Sequence, residues 1–268
     1  MSQPAEPSAA EQVLAGFSFP NDEPAHVDRV LAAYPELVRA LGRIMAAIYQ
    51  GIGLLEGIPV FALQDKRTLL VALVNRSFKC LNVAITSGLR GYYVQAVILV
   101  RSVHEDNLLF ADLDTNAATV QALYAGDQKW FLRGEGRWRQ MAERLDQLAA
   151  QQGFGGHAGQ GWIELYALES VLAHPRLPAL QAEFSRDGTR LIAAPEWDAD
   201  LCRRALGGAL TSGRLALAME RSVIPVIDRT RGWHVLSASI AREANDWIRA
   251  EIQRIKAESS SDLTEPSK

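Results

Sequence analysis

Residues 75–112 read NRSFKCLNVAITSGLRGYYVQAVILVRSVHEDNLLFAD. Their pattern predicts two helices joined by a turn at Gly88 and Gly91, because glycine is the residue that most often ends a helix. Both helices are apolar around most of their circumference, so each must be buried on several sides. On the second helix, Arg101 and Glu105 stand one helical turn apart within an apolar stripe. A charged pair in that position needs an explanation.

Most of the remaining chain carries the same helical periodicity, with apolar residues recurring at intervals of three and four. Pro35 is expected to begin or kink the first helix, and Asp114 or Thr115 to cap the helix that follows the central one. The pattern predicts helices at 28–55, 66–88, 92–113, 116–126, 127–151, 162–173, 198–222 and 228–257.

One segment, 182–195, departs from this pattern. There Asp187-Gly188 lies between two short apolar runs, which predicts a β-hairpin turn. The predicted fold class is therefore all-α: a bundle of about six to eight helices with one small inserted β-hairpin. Residues 1–25 are predicted to be disordered or loosely packed, 26–257 to form a single helical-bundle domain, and 258–268 to form a disordered tail.

Composition limits the classes of function. With 268 residues and a net charge of −3, the chain lacks a broadly basic surface, so a mainly electrostatic nucleic-acid-binding protein is not expected, and DNA least of all. A local basic patch that binds RNA stays open. The two cysteines are far apart and predict free thiols in a reducing compartment. The first residues show no signal peptide, and the apolar runs are shorter than the ~20 residues of a membrane span. A cytoplasmic protein with no membrane partner is therefore expected.

The first group of candidate site residues lies on the central helix: Arg101, Ser102 and Glu105, with His104 and Asn107 beside them. In a functional interpretation, Arg101 binds an anionic group and Glu105 orients it. In a structural interpretation, the two residues form an ion pair that sets how the bundle packs.

The second group is Tyr166, Ser170 and His174, which follow one another at intervals of four residues and so share one helix face. His174 would act as general acid or base near neutral pH. Alternatively, Ser170 bonds to a backbone carbonyl, Tyr166 packs its ring and His174 contacts the helix C-terminus.

A third group, Arg229 and His234, has the Arg-x(4–6)-His spacing of HEPN ribonucleases, although chance alone accounts for one such match in this chain. A fourth group mixes basic and aromatic residues that could bind single-stranded nucleic acid or form a charged outer helix face. It comprises Lys129, Trp130, Arg133, Arg137, Trp138, Arg139 and Arg144. Neither a metal-ligand spacing nor a phosphate-binding glycine loop is present, so no metal or cofactor is expected.

The order Arg101-Ser102-x-x-Glu105, then Tyr166-x3-Ser170-x3-His174-Pro175, resembles a bacterial all-helical family of unknown function that is HEPN-like. The resemblance covers about 75–230. It implies a helical bundle that forms a homodimer, and its HEPN kinship implies RNA cleavage or a role in toxin–antitoxin systems or phage defence.

Two hypotheses follow. In the favoured one, the protein is a non-catalytic module that binds a protein partner or small ligand, and the two polar groups form a structural cluster. In the other, it is a metal-independent ribonuclease-like or nucleotide-processing enzyme. There Arg101 stabilises phosphate charge, Glu105 orients it and His174 moves a proton, with Ser102, Tyr166 and Ser170 binding the substrate. Both hypotheses require Arg101 and His174 to be neighbours in the fold.

Overall fold

A computed structural model of the chain describes residues 22–55, 66–125, 134–151 and 197–261. Within these ranges the chain forms eight α-helices and no strand. They are α1 (Asp22–Ala33), α2 (Pro35–Leu55), α3 (Lys66–Leu89), α4 (Tyr93–Thr115), α5 (Ala117–Tyr124), α6 (Gly134–Gln151), α7 (Ala199–Val223) and α8 (Asp228–Ser261). The all-α prediction is confirmed.

Helix α7 is the axis around which the other long helices pack. A Cβ added at Gly213 would lie 2.9 Å from Ile44 Cγ2, so α2 passes very close to α7 at this point. Further along, Gly51 of α2 meets Glu220, which shows that α2 and α7 run in parallel. Helix α8 runs in the opposite direction, because Arg214 of α7 donates to Asn245 while Arg221 donates to Ser237.

Helices α3 and α4 form an antiparallel hairpin. Gly91 turns the chain between them with a φ of 93°, a left-handed conformation that favours glycine. A Cβ added at Gly88 would lie 2.9 Å from Leu206 Cδ2, so the hairpin packs directly against α7 at this point. The predicted turn at Gly88 and Gly91 is therefore confirmed, and α4 is buried between α3, α7 and α6 as its apolar circumference predicted.

Several element ends are explained by single residues. Pro35 begins α2, and only Tyr34 separates it from the end of α1 at Ala33. Asp198 caps α7 by accepting from the backbone N–H groups of Asp200 and Leu201, both at 2.9 Å.

The predicted cap of α5 was wrong. Asn116, rather than Asp114 or Thr115, accepts from the Ala118 N–H at 3.1 Å, because α4 continues through Thr115.

Two predicted elements lie outside the described residues, namely the hairpin at 182–195 and the helix at 162–173. The described helices reach from Asp22, where α1 begins, to Ser261, where α8 ends, and the predicted domain limits stay predictions. One helix of the described part, α3, is long and apolar enough to cross a bilayer on length and composition alone, a test that core helices of soluble proteins also pass.

Candidate functional site

Arg101 and Glu105 pair with each other along α4. Arg101 Nε donates to Glu105 Oε1 at 3.2 Å, and the side chains are 16% and 39% exposed. Ser102, on the same stretch, donates its hydroxyl to the Ile98 carbonyl at 3.4 Å. The first predicted group is therefore assembled on one helix, as an ion pair between residues four apart. A mostly buried arginine with a carboxylate beside it can stabilise the packing of helices. An arginine that is more exposed to solvent can instead bind an anion.

A second carboxylate, Asp106, joins α4 to α3. Arg76 forms an ion pair with Asp106 Oδ1, and the Ser77 hydroxyl donates to Asp106 Oδ2 at 3.4 Å. Burial raises the pKa of Asp106 to about 6, while Arg76 and Ser77 oppose that rise and neighbouring Glu105 adds to it. We call Arg76, Ser77 and Asp106 the α3–α4 seam, because their contacts cross between the two helices. Asp106 is thus a carboxyl that changes protonation near neutral pH beside a guanidinium.

A third carboxylate links the C-terminal end of α4 to two other helices. Asp112 is buried, forms an ion pair with Arg144 of α6 and accepts a hydrogen bond from the Thr119 hydroxyl of α5. Arg144 had been grouped with the basic and aromatic residues of a predicted outer face, but it points inward to this carboxylate. Arg139 is exposed, whereas Lys129, Trp130, Arg133 and the side chains of Arg137 and Trp138 lie outside the described part.

Two polar residues at the centre of α4 are buried inside the bundle. Asn107 donates its amide to the Ser212 carbonyl at 3.3 Å, and His104 is fully buried on the same helix. Both had been considered members of the first candidate group. Their burial removes them from any surface that a macromolecular substrate could reach.

Tyr166, Ser170 and His174 lie outside the described residues. Their proximity to Arg101 stays a prediction.

Arg229 and His234 do not converge at the start of α8. Arg229 is exposed, whereas the His234 ring is buried with Nε2 3.1 Å from the Ile224 carbonyl oxygen. Residues five apart on a helix differ by about 140° in direction, which explains the divergence. Burial and the nearby Arg221 lower the pKa of His234, so the imidazole is neutral near pH 7. This arrangement fits packing better than proton transfer.

Glu220 of α7 is the most unusual polar residue of the described part. Its side chain is fully buried, and neither carboxyl oxygen has a hydrogen-bond partner. The carboxyl group lies directly against Gly51 of α2. Burial raises the pKa of Glu220 to about 9, so the group is protonated at neutral pH. Sequence reasoning missed it, although a lone glutamate after the apolar run 215–219 was an available signal.

A cluster of aromatic side chains joins α1 to the start of α4. His26 Nε2 is hydrogen-bonded to the Tyr93 hydroxyl, and the Tyr92 hydroxyl donates to Glu23 at 2.7 Å. Burial, followed by Arg29, lowers the pKa of His26. A shallow groove of about 390 Å³ lies beside this cluster. It is lined by Glu23, Asn82, Val83, Thr86, Ser87, Arg90 and Tyr92.

The described ranges, 22–55, 66–125, 134–151 and 197–261, contain no group of three or more His, Cys, Asp or Glu side chains placed to hold a metal ion. Comparisons with protein-family models, with curated proteins and with solved structures find no match for this chain.

Proposed function

We propose that this protein is a non-catalytic helical-bundle module that binds a protein partner or a small ligand. The observation that carries the proposal is the Arg101–Glu105 pair, in which the Arg101 side chain is 16% exposed and its Nε already donates to a carboxylate of its own helix. An arginine that recruits a phosphate needs its planar donors directed toward the ligand. Here the Nε donor is directed along the helix.

The neighbouring carboxylates support the same function. Asp106 pairs with α3, and Asp112 pairs with α5 and α6. Ion pairs to a buried carboxylate contribute little net stability, but they disfavour alternative packing arrangements in which that charge would be left unpaired. The carboxylates of α4 therefore specify how α4 packs against α3, α5 and α6.

Several finer features are proposed from the sequence alone. They are membership of the bacterial HEPN-like family, a cytoplasmic location, a homodimeric state and the small hairpin at 182–195. The contact between Arg101 and the second group, Tyr166, Ser170 and His174, is likewise proposed from the sequence alone.

One observation favours a second candidate function, a metal-independent ribonuclease-like or nucleotide-processing activity of the toxin–antitoxin or phage-defence type. Asp106 has a pKa of about 6, and its partner Arg76 is 57% exposed. A titratable carboxyl beside an accessible guanidinium can accept a proton next to a bound phosphate. In that function Arg101 and His174 would stabilise charge and move a proton.

Incubation of the purified protein with single-stranded and structured RNA separates the two functions. We expect no cleavage above that of the Arg101→Ala and His174→Ala variants. Arg39→Ala is the matched control, because Arg39 is an exposed arginine paired with Glu36 three residues away. Circular dichroism establishes that each variant is folded.

Cleavage by the wild type and by Arg39→Ala, lost equally in Arg101→Ala and His174→Ala, would overturn the non-catalytic proposal and favour the enzyme. Cleavage lost instead in Arg229→Ala or His234→Ala would also overturn it, and would place the site at the start of α8.

A further inference from the structure

The shallow groove beside α1 is lined by three separate parts of the chain. Its volume of about 390 Å³ lies in the range of sites that bind small organic ligands. One face of the last two turns of α3 contributes Asn82, Val83, Thr86 and Ser87. The lining is completed by Glu23 of α1, Arg90 of the turn after α3, and Tyr92, which precedes α4.

Two opposite charges lie side by side in this groove. Arg90 Nη1 is 3.6 Å from Glu23 Oε2, a distance longer than a hydrogen bond. The Arg90 side chain is 51% exposed, whereas the Glu23 side chain is 11% exposed. The arginine therefore keeps planar N–H donors that a ligand can reach, beside a carboxylate that is mostly buried.

Glu23 is held in position by Tyr92. The Tyr92 hydroxyl donates to Glu23 Oε1 at 2.7 Å. Burial raises the pKa of Tyr92 to about 12, and the hydrogen bond to Glu23 adds to that rise, so the hydroxyl keeps its proton at neutral pH. An ionised carboxylate has about four lone-pair sites, so Glu23 can accept from a ligand in addition to Tyr92. An acceptor that is already fixed loses little conformational entropy on binding.

An α-amino acid has the complementary arrangement of charges. Its ammonium and carboxylate groups are attached to the same carbon atom, so they also lie side by side. The ligand carboxylate can accept two parallel hydrogen bonds from the Arg90 guanidinium while the ammonium donates to Glu23. A simple anion would be repelled by Glu23 and a simple cation by Arg90, so the groove favours a ligand that carries both charges.

The groove also offers an apolar contact. Val83 is 53% exposed, and it is the one aliphatic side chain among the described residues that line the groove. Covering it with an aliphatic ligand side chain removes apolar surface of both partners from water. The neighbouring Thr86 hydroxyl already donates to the Asn82 carbonyl at 2.8 Å, so it does not require a polar ligand group.

We infer that the groove binds a free α-amino acid with an aliphatic side chain, which places its carboxylate on Arg90, its ammonium on Glu23 and its side chain on Val83. This inference rests on the proposed binding module and names the chemical class of its small ligand. It is independent of whether the chain cleaves RNA.

Isothermal titration calorimetry of the full-length chain with leucine tests the inference. We expect a dissociation constant on the order of 0.1 mM, because a shallow groove covers only part of the ligand. N-Acetyl-leucine lacks the ammonium group and leucinamide lacks the carboxylate, so each should bind about 10-fold more weakly or worse. Glycine should also bind more weakly than leucine, because it has no side chain to cover Val83.

Two substitutions of similar size test the assignment of the charges. Arg90→Met and Glu23→Gln each remove one charge, and each should weaken leucine binding by about 10-fold or more. Arg39→Met and Glu36→Gln are the matched controls, because these two residues form an exposed ion pair on α2 and do not line the groove. Both controls should leave the affinity unchanged, and circular dichroism establishes that each variant is folded.

No binding of leucine at about 10 mM would overturn the inference, because that concentration is about 100 times the expected dissociation constant. Binding of either single-charge analogue as tightly as leucine, or an unchanged affinity in Arg90→Met or Glu23→Gln, would also overturn it. The RNA cleavage assay uses none of these ligands or groove variants, so failure here is distinguishable from failure of the proposed function.

Discussion

Replacing Gly51 with valine is expected to lower the free energy of unfolding by about 3 kcal/mol. A Cβ at this position would lie 2.4 Å from the carboxyl carbon of Glu220 and 2.5 Å and 2.6 Å from its oxygens, closer than non-bonded atoms can approach. Glu220 is fully buried, so its carboxyl group cannot swing into solvent to make room. Helices α2 and α7 would therefore have to move apart.

Denaturant titration of wild type, Gly51→Val and Gly42→Val measures this effect. Gly42 is on the same helix, but a Cβ there would meet nothing within 4 Å, so Gly42→Val should change stability by less than about 1 kcal/mol. In a Glu220→Ala background the space beside Gly51 is vacated, and Gly51→Val should become much less costly. Equal effects of the two valine substitutions would show that α2 and α7 do not meet at Gly51.

Replacing Glu220 with glutamine is expected to stabilise the protein at pH 7 by about 3 kcal/mol. Burial raises the pKa of Glu220 from 4.5 to about 9. The folded protein therefore keeps a proton that the unfolded chain releases above about pH 4.5. Stability from the protonated carboxyl is fully present below that pH and is lost as pH rises toward 9. Glutamine has nearly the same shape and never ionises, so the variant does not lose this stability as pH rises.

Unfolding free energies of wild type and Glu220→Gln should accordingly coincide near pH 4 and diverge steadily up to about pH 9. Glu243→Gln is the control, because Glu243 is a half-exposed partner of Arg43 whose replacement should have a small effect of the opposite sign. Parallel pH profiles for wild type and Glu220→Gln would mean that Glu220 is ionised in the folded state, and hence that it has a partner or reaches water.

Local sequence pattern predicted most of the helices because helix formation depends on neighbours within one or two turns. The break at Pro35 and the turn at Gly91 are examples, since each depends on the backbone preferences of a single residue. The cap of α5 was misplaced by one or two residues, because Asp114, Thr115 and Asn116 are all competent caps. Only the length of α4 decides between them.

The candidate site was predictable where its partners are close in sequence. Arg101 and Glu105 are four residues apart on one helix, so their pairing followed from helix geometry. Asp106 and Glu220 were not recognised, because their environments come from other helices. Asp106 is joined to Arg76 of α3, and Glu220 is enclosed against Gly51 of α2. A one-dimensional pattern carries no information on which distant segment covers a side chain.

Whether the charged residues of the α3–α4 seam fasten helices together is tested most directly by a double-mutant cycle on Arg76 and Asp106. Unfolding free energies are measured for wild type, Arg76→Ala, Asp106→Asn and the double variant, at about pH 8 and about pH 4.5. Burial places the pKa of Asp106 at about 6, so the carboxyl is ionised in the first condition and neutral in the second. Because Arg76 is half-exposed, we predict a coupling energy of about 1 kcal/mol at pH 8 that falls close to zero at pH 4.5. Additive effects at both pH values would show that the pair contributes nothing to packing, and would contradict a structural role for the seam.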